Sequence, residues 1–179
     1  MMAKRLFVLV AALLTFFCST ALAFEYPTYL NGDRNFIICG AHMGVACYVK
    51  KSSVVVQNYA PPDYEIYVET IMANFNDSQG WPVSPNVYKL SKLIPSVYRY
   101  NTNSMRMTVY NKKENNWRYI KPAGSMADTG HWYPGEMAYY IAFGQRFYGS
   151  RQWRHPYDGR MTNANCASDW FYSNVDNSW

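Results

Sequence analysis

Apolar and polar positions alternate with a period of two through most of this chain. From Tyr64, one face collects Tyr64, Ile66, Val68 and Thr70 while the other shows Glu65, Tyr67 and Glu69, the pattern of a half-buried strand. Ser52–Asn58, built around Val54-Val55-Val56, predicts a strand before it. Ala60-Pro61-Pro62 separates the two, because proline cannot donate to a ladder. Upstream, Phe36-Ile37-Ile38 and Tyr48-Val49 flank a glycine-bearing segment and read as a hairpin. Downstream a meander is predicted: Ser96–Tyr100, then Ser104–Tyr110 with Met105, Met107 and Val109 on one face, then Trp117–Ile120. The polar stretch Asn74–Pro85, with Gly80, Pro82 and Pro85, reads as a long loop.

One segment changes period. Met137, Tyr140, Ile141, Gly144 and Phe147 or Tyr148 recur at helical spacing, with Pro134 and Glu136 in the first turn and Gly149 just past the end. Gly144 inside this helix would cost about 1 kcal/mol against alanine, which a close approach to another element would explain. Beyond Gly149 no periodicity is visible. The expectation is therefore an α+β domain over residues 24–149, mainly an antiparallel β-sheet (a meander) packed against one C-terminal helix, with an irregular tail over residues 150–179.

The amino terminus stands apart from this pattern. Lys4 and Arg5 precede the uncharged run Leu6–Phe17, and Ala21-Leu22-Ala23 is a small-x-small cleavage signal, so residues 1–23 read as a signal peptide. The run is too short for a transmembrane helix, and Phe17 stands where lipid attachment at Cys18 would need a small residue. The chain is thus expected to be exported, to the periplasm, the cell surface or the medium, with a mature start at Phe24 and no membrane span.

Composition narrows the function classes. Removing Lys4 and Arg5 lowers the net charge from +5 to about +3, too little to argue for nucleic acid. The one basic concentration is Arg146, Arg151, Arg154, His155 and Arg160, with Trp153 and Tyr157 interleaved; it reads as a solvated tail. All 17 tyrosines lie after residue 23, and tyrosine suits both a pleated half-buried surface and a binding surface. Three cysteines remain after cleavage: Cys39, Cys47 and Cys166. A Cys39–Cys47 disulfide across the hairpin is the preferred pairing, with a long-range bond to Cys166 as the alternative. His42 between these cysteines does not make a zinc site, since the spacing lacks paired ligands. No metal and no cofactor is expected.

Catalytic motifs are missing from the sequence. There is no G-x-S-x-G elbow, phosphate-binding glycine loop or H-E-x-x-H pair. Three weaker arrangements remain: Cys166 with His155 as nucleophile and base, a carboxylate–histidine group of Asp128, His131 and Glu136, and the pair Glu65 and Glu69. The last two glutamates lie roughly 13 Å apart along a strand, too far for glycosidase chemistry. Trp81 in the long loop, and Trp132 with Tyr133 before the helix, are candidate contact residues; the competing reading has both tryptophans plugging the ends of the sheet.

The order of motifs adds a resemblance. Tyr48-Val49-Lys50-Lys51-Ser52-Ser53-Val54, then Tyr98-Arg99-Tyr100-Asn101, then Trp117-Arg118-Tyr119-Ile120-Lys121-Pro122-Ala123-Gly124-Ser125-Met126-Ala127 resemble the bacterial surface-adhesin protein E family. Pro61-Pro62-Asp63-Tyr64 and Gly135-Glu136-Met137-Ala138-Tyr139 are similar to exported bacterial proteins of the same plan. The resemblance spans roughly residues 46–149. It implies an antiparallel sheet packed on a helix and, for the adhesin, binding of extracellular-matrix proteins. The functional expectation is a non-catalytic binding domain whose partner is a protein or glycan at the cell envelope or a host surface. A small secreted hydrolase and a structural envelope subunit are the alternatives.

Overall fold

Period-two patterning becomes one seven-stranded antiparallel sheet in the computed structural model, which describes residues 24–82, 84–86, 88–121, 126–148, 152–154, 161–163 and 167–179. Strands β1 (Phe36–His42) and β2 (Val45–Ala60) form the expected hairpin, and β3 (Asp63–Asn74) returns after Pro61-Pro62. The short β4 (Lys89–Leu90) pairs with the end of β3. Strands β5 (Ile94–Asn101), β6 (Arg106–Asn111) and β7 (Asn116–Ile120) complete the order β1-β2-β3-β5-β6-β7, with the meander where alternation placed it. The fold is α+β.

The two short runs predicted upstream of Pro61 are a single long strand. β2 continues through an irregularity between Lys50 and Val55, where pairing with β3 slips. Ser53 stitches that slip: its hydroxyl donates to the Lys50 carbonyl at 2.6 Å and accepts from the Glu69 amide at 2.8 Å. Another irregularity lies in β1, where Ile38 faces Tyr48 and Gly40 faces Cys47, leaving Cys39 as the extra residue of a bulge.

The helix differs from expectation at both ends. α1 spans Met126–Phe143, starting eight residues before Pro134 and stopping before Gly144. Gly144 has φ +65° and its amide donates back to the Tyr140 carbonyl at 2.8 Å, so it closes the helix rather than lying within it. The glycine that serves close approach is Gly135: a Cβ there would stand 2.5 Å from Met107 Sδ and 2.8 Å from a Tyr98 ring carbon. Its absence lets α1 press onto β5 and β6.

The tail also differs. Backbone of β8 (Gln152–Arg154) and β9 (Met161–Asn163) forms a separate two-stranded hairpin, and α2 (Asp169–Asp176) follows. Ser168 caps α2 by accepting from the Phe171 amide, and Asp169 occupies its first turn, where a negative charge suits the helix dipole. Phe171, Tyr172 and Val175 are buried in the main core with Tyr98, Tyr100, Trp132, Met137 and Phe147. Lys51 ties down the chain end, donating to the Ser178 carbonyl at 2.7 Å and lying 4.2 Å from the Trp179 ring centre.

The two faces of the sheet are covered unequally. One face carries α1 and α2 over the main core. On the other, among the described residues, the β1–β2–β3 end is covered by Phe24, Tyr26 and Leu30 from before β1 and by Phe75 and Tyr88 after β3. Among the described residues, none forms a buried cluster over the β5–β6–β7 half of that face, where Arg99 and Arg106 are exposed; this is the open half of the sheet. Among the described residues, no helix is long and apolar enough to cross a membrane.

Candidate functional site

Two regions carry chemistry: a cavity under the β1–β2 hairpin and the open half of the sheet. The cavity, of about 330 Å³, lies where the hairpin meets α1. Its strand wall presents Cys39, Cys47 and Met72; its helix wall presents Tyr133 and Pro134; exposed His42 stands at the hairpin end. The size falls in the lower part of the roughly 300–1,000 Å³ range of small-ligand sites.

Local sequence explains this wall. Residues two apart on a strand share a face, so Cys47 points to the same side as Val49, and Met72 to the same side as Val68. The bulge turns Cys39 toward that side as well, beside Ile37 in the core. Cys47 and Met72 are direct partners across β2 and β3. The Tyr133 ring covers Gly40, where a Cβ would meet it at 3.3 Å.

The expected Cys39–Cys47 disulfide is absent here. Both residues are free thiols, and Cys39 Sγ donates to the Cys47 carbonyl oxygen at 3.3 Å. The bulge is the physical reason: Cys39 and Gly40 together oppose Cys47, so the two cysteines are not a simple cross-strand pair. Burial, and then hydrogen bonding to the Cys47 side chain, push the Cys39 thiol well above its ordinary pKa. Cys166, the alternative partner, lies outside the described residues.

The open face is built from alternate positions of β3, β5, β6 and β7. Glu65 pairs with Arg99 at 2.7 Å, and the Arg99 guanidinium lies 3.8 Å from the centre of the Trp117 ring. Tyr110 packs against the same ring at 5.3 Å, and Arg106 lies over Tyr119 at 4.7 Å. Toward β2, Lys50 bonds Glu69 at 2.9 Å and Tyr67 donates to the same carboxylate at 3.1 Å. Those two bonds hold the Glu69 carboxyl below its usual pKa.

The residues singled out from sequence are dispersed. Trp81 is 69% exposed in the loop after β3, whereas Trp132 is 2% exposed and stacks on Tyr148 in the core. Trp132 therefore fills the interior and presents no contact surface. Tyr133 is half-buried and lines the cavity. Glu65 and Glu69 are each engaged by a cation on a neighbouring strand. Glu136 is fully buried on the opposite side of the sheet, accepting from the amides of Phe147 at 2.8 Å and Tyr148 at 3.2 Å and from the Tyr172 hydroxyl at 2.8 Å. These glutamates do not converge on one another. The side chain of Asp128, and the whole of His155, lie outside the described residues, as do most of the basic cluster and residues 1–23.

Sequence reasoning missed Glu136 as an organiser of the core, having placed it in the first turn of a helix. A polar residue between Gly135 and Met137 in an otherwise apolar run was the available signal. Met72 was missed as a neighbour of the cysteines, since strand pairing alone brings it there. Comparison with models of known protein families, with curated proteins and with solved structures found no match.

Proposed function

We propose that this is an exported cell-envelope domain that works by binding a protein partner through the open half of its sheet. The observation that carries the reading is the Arg99–Trp117 stack, flanked by Tyr110 and by Arg106 over Tyr119. Tryptophan, tyrosine and arginine are the residue types that most often dominate binding energy at protein interfaces. Here they are mounted on paired strands and held by one another, so little side-chain freedom remains to be lost on association. The resemblance of the β2-to-α1 motifs to the surface-adhesin protein E family, and the amino-terminal export signal, support the same reading.

The test joins location to contact. Fractionation and amino-terminal sequencing should find the protein in the envelope beginning at Phe24. The mature protein should capture an envelope or surface protein, and Trp117→Ala should weaken that capture by roughly 30-fold or more, the effect of losing about 2 kcal/mol at an interface anchor. Its melting temperature should hold within a few degrees. Capture unaffected by Trp117→Ala and Arg99→Ala would remove the open face from the function. Binding to a glycan array in place of any protein would overturn the partner class.

A further inference from the structure

Three sulfur-bearing side chains from three adjacent strands meet at one cavity wall. Cys39 of β1, Cys47 of β2 and Met72 of β3 all line the same space. Cys39 already reaches the Cys47 backbone at 3.3 Å, and Cys47 and Met72 stand directly opposite each other across the ladder. Side chains so paired have Cβ atoms roughly 4.5–5.5 Å apart. Each sulfur lies one bond or two beyond its Cβ, close enough for two neighbours to share an ion held by metal–sulfur bonds of roughly 2.3 Å.

From this geometry we infer that Cys39, Cys47 and Met72 form a binding site for a soft monovalent cation, copper(I). The donor set makes the choice. Thiolate and thioether sulfurs favour soft ions, whereas carboxylates and carbonyls favour magnesium, calcium and manganese. Among the described residues, no aspartate or glutamate lines the cavity. Among the described residues, no three of histidine, cysteine, aspartate and glutamate come together as a zinc site requires. A thioether as the third ligand is what distinguishes this row. The expectation of no metal rested on the spacing of Cys39, His42 and Cys47 along the chain, and that spacing does not reveal Met72.

The surroundings suit such an ion. Cys39 is 3% exposed, while Cys47 and Met72 are half-buried, so the site has a dry floor and an accessible mouth. Among the described residues, the opposite wall of Tyr133 and Pro134 contributes no competing carboxylate. Copper(I) enters without a change of oxidation state; the two thiols release their protons to solvent, the thioether donates a lone pair, and three copper–sulfur bonds form. A Cys39–Cys47 disulfide would consume both thiolate ligands, so copper loading and oxidation of the pair exclude each other.

The experiment uses the full chain, reduced and oxygen-free, in a Cys18→Ser, Cys166→Ser background so that only these two thiols remain. Copper(I) is supplied as its bicinchoninate complex, which also serves as competitor and indicator. The protein should withdraw one copper(I) per chain, and thiolate-to-metal charge-transfer absorption should appear in the ultraviolet. Met72→Leu, close in volume, should keep its melting temperature and lose at least tenfold in affinity; Cys47→Ala should lose the charge-transfer band. In the parent protein, copper(I) should also protect both cysteines from alkylation, a readout independent of how the variants fold. Failure to compete with bicinchoninate, alkylation unchanged by copper(I), unchanged affinity in Met72→Leu, or equally tight binding of zinc(II) would each overturn the assignment.

Discussion

Glu136 lies in the second half of α1 with its carboxylate buried among Phe147, Tyr148 and Tyr172. A carboxylate in such a place costs desolvation, and here it is offset by hydrogen bonds from two backbone amides and a hydroxyl. The chain that leaves α1 at Gly144 is thereby folded back along the helix, and α2 is joined to it through Tyr172. Glu136→Ala would leave those donors without their acceptor. Each buried group left unsatisfied costs about 1–3 kcal/mol, so the variant should lose at least ~3 kcal/mol in equilibrium denaturation. Glu136→Gln, which keeps one acceptor oxygen, should lose less. Equal stability of Glu136→Ala and the parent would show that water replaces the carboxylate.

At the scale of elements, α2 is short and depends on the surface it covers. Eight residues are too few for a stable isolated helix, and the Ser168 cap only partly compensates. Its burial of Phe171, Tyr172 and Val175 supplies what local propensity does not. Phe171 also contacts the Tyr133 ring, with centroids 5.8 Å apart, so α2 braces the helix wall of the cavity. Phe171→Ala should cost about 3–5 kcal/mol, the usual range for deleting a core phenylalanine. Hydrogen exchange should then show faster exchange across α2 while the β5–β6–β7 amides stay protected. Loss of protection throughout the sheet would make α2 part of the cooperative core rather than an appended element.

For the whole molecule, the unusual feature is how many tyrosine hydroxyls the interior holds. Burial pushes Tyr48, Tyr98, Tyr100, Tyr148 and Tyr172 upward from their ordinary value of 10.0. A folded-state pKa above the unfolded one gives stability that is complete below the unfolded value and is lost as pH rises through the folded one. The denaturant midpoint should therefore hold on the acid side of pH 10.0 and fall above it. Each fully buried tyrosine, Tyr98 and Tyr100 first, contributes a slope of about 1.4 kcal/mol per pH unit. Tyrosinate absorbance should rise together with unfolding. Ionisation of most tyrosines in a still-folded protein would mean that the hydroxyls are hydrated.

Sequence alone determined most strands of the main sheet, most of their turns and the α+β class, because these depend on neighbours along the chain, but it showed neither β4 nor the β8–β9 hairpin of the tail. Alternation at Tyr64–Thr70 or Met105–Val109 says which residues share a face, and Pro61-Pro62 says where a ladder breaks. It does not say which face is covered, because the covers come from far away: Phe24, Tyr26 and Leu30 on one side, α1 and α2 on the other. The start of α1 was hidden by Pro134 and Gly130, residues that argue locally against a helix which packing on the sheet sustains. Gly135, not Gly144, proved to be the point of close approach, since only the docked helix shows which glycine faces Tyr98 and Met107. The sulfur row is the clearest case. A one-residue bulge at Cys39 and the register that sets Met72 beside Cys47 are products of strand pairing, and three residues scattered over 34 positions become neighbours only once the sheet has formed.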